Sequence, residues 1–220
     1  MSQQTMKAFC CWSGGKESAL SLYKTMQNKN IKIDYLLNMT SEDGKRSRTH
    51  GLCSNLLKLQ SELIGIPIVQ RKTTWKNYEK EFKKVVLNLK KENINTGIFG
   101  DIDLQEHRDW VERVCKELNI KPMLPLWKKK RETLLNKFID VGFKAIIVAT
   151  NSDFLDEEWL GCQIDNKFIK KLKVIKNVDL CGEAGEYHTF VFNGPIFKKS
   201  LNFKIGKKIL KDKHWFMEII

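Results

Sequence analysis

The sequence predicts an α/β protein: a parallel sheet covered by helices in the N-terminal part, then a smaller α+β region. Three observations predict it. Short apolar runs alternate with amphipathic segments up to Leu118, a glycine turn follows the first apolar run directly, and the alternation stops after Pro122 and Pro125. Strands separated by helices pair in parallel, because each crossover carries a helix.

Residues 6–12 are almost wholly apolar and read as a buried strand, which stops at Ser13-Gly14-Gly15-Lys16. A helix begins at once, with Ala19, Leu22, Tyr23 and Met26 on one face. Residues 35–39 read as the second strand, and 52–63 as a helix with Leu52, Leu56, Leu59 and Leu63 in one stripe. Residues 66–70 form a strand with Pro67 near its start. Residues 75–90 form an amphipathic helix through Trp75, Tyr78, Phe82, Val85, Val86 and Leu89. A short strand at 96–99 ends at Gly100-Asp101, and a helix at 104–118 follows, with Asp103 suited to cap it. Past the prolines come a helix at 133–141, a buried strand at 144–149 and a lysine-rich helix near 166–174. Residues 201–205 and 214–220 alternate as strands do. The expected division is residues 1–122 as one domain and 123–220 as a second.

Composition bounds the function. The 220 residues are 42% hydrophobic, enough for a real core. No apolar run approaches the roughly 20 residues needed to span a bilayer, and no secretory leader opens the chain. A soluble cytoplasmic protein, without membrane partners, is the expectation. The six cysteines form no CxxC pair and no zinc-finger spacing, so they read as reduced small hydrophobes. The net charge of +13 gathers in lysine runs at 128–131, 170–173, 198–199 and 204–213. Such a field attracts ATP and acidic faces, and RNA contact stays open beside a plain solvated surface.

Strand, glycine turn and helix together present free backbone N–H groups to an anion. Gly14 and Gly15 let the backbone approach phosphate oxygens, Lys16 adds charge, and Ser13 and Ser18 add hydroxyl donors. The turn is not a Walker A loop: Cys10 stands where that loop's first glycine would be, and Glu17 follows Lys16. Ligands of parallel sheets bind at the carboxyl ends of strands, which gathers residues 13–18, the segment after Met39 and Gly100-Asp101 around one crevice. The polar stretch 41–50 is either a lid, with Lys45, Arg46 and Arg48 able to reach phosphates, or an ordinary surface loop. Asp101, directly after a strand, suits magnesium beside phosphate oxygens. Glu183, Glu186, Tyr187, His188 and Thr189 form the densest polar cluster. It reads as an acid–base set able to bind ammonium and release ammonia, or as a strand whose polar groups satisfy one another.

SGGKES at residues 13–18 resembles the PP-loop, SGGKDS, of the N-type ATP pyrophosphatases. DLCGEAGEYHTFVFNGPIF at 179–197, with GDI at 100–102, HRDWVERVC at 107–115, PLW at 125–127 and WLG at 159–161, resembles the diphthine–ammonia ligase family over nearly the whole chain. One departure is Glu17, where the family usually has Asp. The resemblance implies an N-terminal domain of the adenine nucleotide alpha hydrolase (HUP) type. It implies ATP-dependent amidation through an acyl-adenylate, releasing AMP and pyrophosphate, with diphthine on translation elongation factor 2 as the acid. The same chemistry on another acid or on tRNA, and a non-catalytic nucleotide-binding module, are the other readings. By the resemblance, residues 13–18, Met39, His50, Gly100 and Asp101 serve the nucleotide. Lys16, Glu183, Glu186 and His188 serve catalysis, and Tyr187, Thr189, His107 and Arg108 lie on the substrate side.

Overall fold

The computed structural model describes residues 5–220. Five parallel strands form the first sheet: β1 (Met6–Cys11), β2 (Ile31–Thr40), β3 (Ile68–Lys72), β4 (Thr96–Ile98) and β5 (Lys121–Met123), in the order β3-β2-β1-β4-β5. Helices α1 (Lys16–Met26), α2 (Ser54–Ile64), α3 (Tyr78–Lys90) and α4 (Gln105–Glu117) connect them. The central strand β1 is buried on both faces, which explains why it reads as an unbroken apolar run. Ala8, Cys10 and Trp12 pack with Ala19, Leu22 and Leu57 of α1 and α2. Phe9, one residue out of phase, packs with Phe82, Val86 and Val114 of α3 and α4. The chain runs outward from β1 to β3 and then returns to lay β4 on the other side of β1. The crevice at the carboxyl ends of β1 and β4 is therefore the switch point of the sheet.

A second sheet, antiparallel and ordered β7-β6-β9-β8, is built from β6 (Lys144–Asn151), β7 (Tyr187–Asn193), β8 (Ile205–Lys211) and β9 (His214–Ile219). Helices α5 (Arg131–Asp140) and α6 (Asn166–Lys173) cover it. The two sheets share one core, which runs from Ala8 and Leu57 through Ile147 to Phe190 and Val191. Among the described residues, no helix is long and apolar enough to cross a membrane.

Four departures from the sequence reading have physical causes. Lys121–Met123 is a fifth parallel strand at the point where the pattern was expected to change; Pro122 is tolerated there because β5 is an edge strand. Helix α3 starts at Tyr78 because Thr74 and Asn77 close a reciprocal turn, with Thr74 N donating to Asn77 Oδ1 at 2.7 Å. Asp103 does not cap α4: its carboxylate accepts from Arg131, at 2.8 Å from Nη2. The strand expected at 201–205 lies further on, at Ile205–Lys211. It turns into β9 through Asp212 and Lys213, both at positive φ (50° and 63°), as a two-residue hairpin requires.

Candidate nucleotide and amidation site

The turn after β1 is shaped by contacts from both sheets. Gly14 adopts φ +81°, and a Cβ there would stand 2.5 Å from Leu57 Cδ2, so only glycine fits. Its carbonyl accepts from Val191 N of β7 at 3.0 Å and from Gln60 Nε2 at 3.2 Å. A Cβ on Gly15 would meet His50 Nε2 at 2.8 Å. Gly15 is the N-cap of α1 and supplies no side-chain acceptor, which leaves the first-turn donors to other partners. Lys16 N donates to Thr189 Oγ1 at 3.1 Å, and the hydroxyls of Ser13 and Ser18 lie 3.2 Å apart.

Lys16 is buried, and its Nζ donates to Cys181 O at 2.6 Å and pairs with Glu17 Oε1 at 2.7 Å. The same ammonium stands over the Tyr187 ring, 4.4 Å from its centroid. Burial alone would lower its pKa, but the Glu17 carboxylate more than offsets this, so the pKa rises and the lysine stays charged. Glu17, longer by one methylene than the aspartate expected there, folds back onto Lys16.

A cavity of about 350 Å³ opens at this place. From the first sheet Ser13, Lys16, Glu17, Ser18, Gly100 and Asp101 line it; Met39, His50 and His107 stand on its rim and walls; Glu183, Tyr187 and His188 close it from the C-terminal region. Residues more than 160 positions apart thus face one space. Glu183 is raised to about 7, first by burial and then by the Glu17, Asp101 and Asp103 carboxylates, against the pull of Lys16. His188 is lowered to about 4 by burial, with Lys16 and His214 adding to it. His50 is lowered too, by burial, then His188 and Lys16; the two rings stand 4.5 Å apart. Both imidazoles are therefore neutral near pH 7. His107 bonds Asp101 Oδ1 at 3.1 Å, and that bond raises its pKa.

Five expected site residues lie outside the cavity wall, among them Gly15, whose N–H donates to Ser13 Oγ at 3.3 Å. The Glu186 carboxylate accepts from Asp179 N (2.8 Å) and Ala184 N (3.0 Å), which pins the turn that carries Glu183. Thr189 holds Lys16 N, and Gly14 is buried beneath the turn. Arg108 points away, paired with Glu112 and stacked 5.0 Å from the Trp127 ring centroid. The sequence reading missed Tyr78 and Phe82, which line the cavity although they read only as an apolar helix stripe. It also missed Gln60, a polar residue on such a stripe, whose Oε1 accepts from Trp12 Nε1 at 2.9 Å and whose Nε2 donates to Val191 O at 2.6 Å. Its polarity amid leucines was the available signal. Among the described residues, no three metal-ligating side chains close around one point.

Residues 6–122 match a model of the diphthamide synthase N-terminal domain, and residues 130–220 match the diphthamide synthase C-terminal domain. A Schizosaccharomyces pombe protein named diphthine–ammonia ligase is 29% identical over 219 residues, covering 89% of this chain and 36% of the relative. Proteins of the same name from Bos taurus and Rattus norvegicus are 30% and 27% identical, covering 66% and 89% of this chain and 61% and 82% of theirs. The chain thus spans about a third of the length of the fission yeast relative and under two thirds of the bovine one. A solved Methanocaldococcus jannaschii structure, titled a predicted subunit of tRNA methyltransferase, aligns at a TM-score of 0.46 and 16% identity, covering 89% of this chain and 100% of that one. Matched by both models in their order along the sequence, the chain belongs to the diphthamide synthase family.

Proposed function

We propose that this chain is an ATP-dependent ligase that amidates a carboxylate with ammonia, the acid being diphthine on translation elongation factor 2. One observation carries the reading: the phosphate-type turn after β1 and the acid–base pair Glu183 and His188 line the same cavity. In this reading residues 13–18 hold the outer phosphates of ATP, with the α1 N-terminus and two serine hydroxyls as donors. An acid oxygen forms a bond to the α-phosphorus while the α–β bridge breaks, and pyrophosphate departs with the electron pair. Lys16 and the turn's donors offset that developing charge. Glu183, ionised above about pH 7 and the more basic of the two, binds ammonium and takes its proton, while neutral His188 faces the same space as a hydrogen-bond partner. Ammonia then adds to the acyl carbon, the bond from that carbon to the AMP oxygen breaks with AMP taking the electron pair, and the proton shed by the nitrogen passes to solvent. Met39, Tyr78 and Phe82 supply apolar surface for the adenine.

Of the carboxylates lining the cavity, Asp101 would hold a magnesium ion: Glu17 is paired with Lys16, and among the described residues no three ligating side chains converge, so the ion would rest on one carboxylate. Such an ion would neutralise phosphate charge and take its other ligands from phosphate and water.

The test is incubation with ATP, magnesium, ammonium and the acceptor protein, followed by nucleotide chromatography. AMP and pyrophosphate in step with amide are expected. ADP with phosphate overturns the α–β break, and AMP formed only with some other acid overturns the acceptor. Lys16→Ala is expected to lower AMP release by at least about 100-fold. The purified variant should keep its far-ultraviolet circular dichroism, and undiminished turnover would remove the lysine's role.

A further inference from the structure

Arg131, the first residue of α5, joins three segments. Its Nε and Nη2 donate to the two carboxylate oxygens of Asp103, at 3.0 and 2.8 Å, and its Nη1 pairs with Asp179. Its own carbonyl accepts from Cys181 Sγ at 3.5 Å. Arg131 does not line the cavity where residues 13–18 and Glu183 meet. Each acid that it holds stands near one that does: Asp103 follows Asp101 by two residues, and Asp179 precedes Glu183 by four.

The fold holds these two partners unequally. Asp103 lies between β4 and α4, where Ile102 O accepts from Lys128 N at 2.7 Å, so its loop is tied to the first sheet. Glu183 lies in a stretch, 174–186, that has neither helix nor strand, with Gly182 and Gly185 at positive φ (69° and 86°). Asp179 is the hub of that stretch. Its Oδ1 accepts from Cys181 N, its N–H donates to Glu186 Oε1 at 2.8 Å, and its other oxygen faces Arg131. Charge makes an outside tie necessary. Glu17, Asp101 and Asp103 all bear on Glu183, and their repulsion pushes its turn away from the loop after β4. Lys16 opposes that push from the cavity side, and Arg131 opposes it from the outer side. A guanidinium offers three coplanar nitrogens to two carboxylates; a lysine at this position has one.

We infer that Arg131 is a positioning residue for the ammonia step: by tying Asp179 to Asp103 it holds Glu183 within reach of the bound ammonium. This rests on the amidation reading and adds how its base is kept in place. Two nucleophiles test it on the intact chain. Ammonium must lose a proton near neutral pH before it attacks, whereas hydroxylamine, a weaker base, is already uncharged and needs no base to arm it. With either, nitrogen bonds to the acyl carbon, the carbon–oxygen bond to AMP breaks with AMP keeping the pair, and the surplus nitrogen proton passes to solvent. Amide and hydroxamate are measured at saturating ATP and acceptor. Arg131→Lys, which keeps the charge and loses the fork, is expected to lower amide formation at least about tenfold and hydroxamate formation less than about twofold. Asp103→Asn removes the other end of the tie and should move the ratio the same way. A merely structural arginine would weaken both reactions together, so an equal loss, or none, overturns the assignment. If the parent yields neither product, the amidation reading falls instead. Hydrogen exchange then decides the tie: backbone amides of 179–186 exchanging at least about tenfold faster in Arg131→Lys, with those of β7 unchanged, uphold it, and equal exchange ends it.

Discussion

Glu183 is a carboxylate raised from 4.5 to about 7 by burial and by the acids around it, so it titrates near neutral pH. A carboxylate raised on folding contributes stability that is full below its unfolded pKa and is lost as pH rises through its folded one. The parent should therefore lose stability between about pH 4.5 and 7 relative to Glu183→Gln, measured as the difference in denaturant midpoint at pH 5 and pH 8. An identical pH dependence in both proteins would place the charge elsewhere. Arg48 makes the second prediction at this scale. Its Nε and Nη2 are buried without a hydrogen-bond partner, and Trp75 stands 5.5 Å away as its stacking neighbour. Arg48→Met should stabilise the ligand-free protein by about 1 kcal/mol, since two buried N–H groups without acceptors are removed from a half-buried side chain; a drop in melting temperature would show that the stack outweighs the desolvation. The sequence marks Arg48 as a cation in a polar stretch. It cannot show that no acid comes to lie beside it, because pairing depends on how 41–50 folds against β2 and Trp75.

Helix α2 shows how one element serves two sheets. Gln60 is fully buried, and its amide reaches Trp12, Gly14 and Val191 at once. Gln60→Ala should cost at least about 2 kcal/mol by urea unfolding, because Val191 O and the Trp12 indole N–H each lose this bond and Gly14 O keeps only Val191 N; a loss below about 0.5 kcal/mol would mean that water replaces the amide. Elements buried on both faces, such as β1 and β6, were legible because their residues are apolar whichever way they point. Two of the edge strands, β5 and β8, were not. β8 exposes Lys207, Lys208 and Lys211 as well as Ile209 and Leu210, so neither face carries a hydrophobic signal. β5 is three residues long with a proline at its centre. The site was legible as two strings, 13–18 and 179–189, since each is chemically dense. That Glu186 pins a turn while Glu183 faces the cavity was not, because it depends on the positive-φ glycines at 182 and 185.

For the whole molecule, the +13 net charge lies in lysine runs that an acidic partner face would complement. Raising ionic strength from about 0.1 to 1 M shortens the screening length from about 10 to 3 Å, so the KM for the acceptor protein should rise several-fold. The KM for a small carboxylic acid should move less; equal salt responses would show that the lysines serve solubility alone. The second sheet also braces the glycine turn of the first, the proposed nucleotide site. Cys181 O accepts from Lys16 Nζ, and Val191 N donates to Gly14 O, across more than 160 residues of chain. Damage anywhere in the C-terminal half, however remote from ATP, should therefore surface as weakened nucleotide affinity. In a collection of variants that single titration would report whether the two halves had come together.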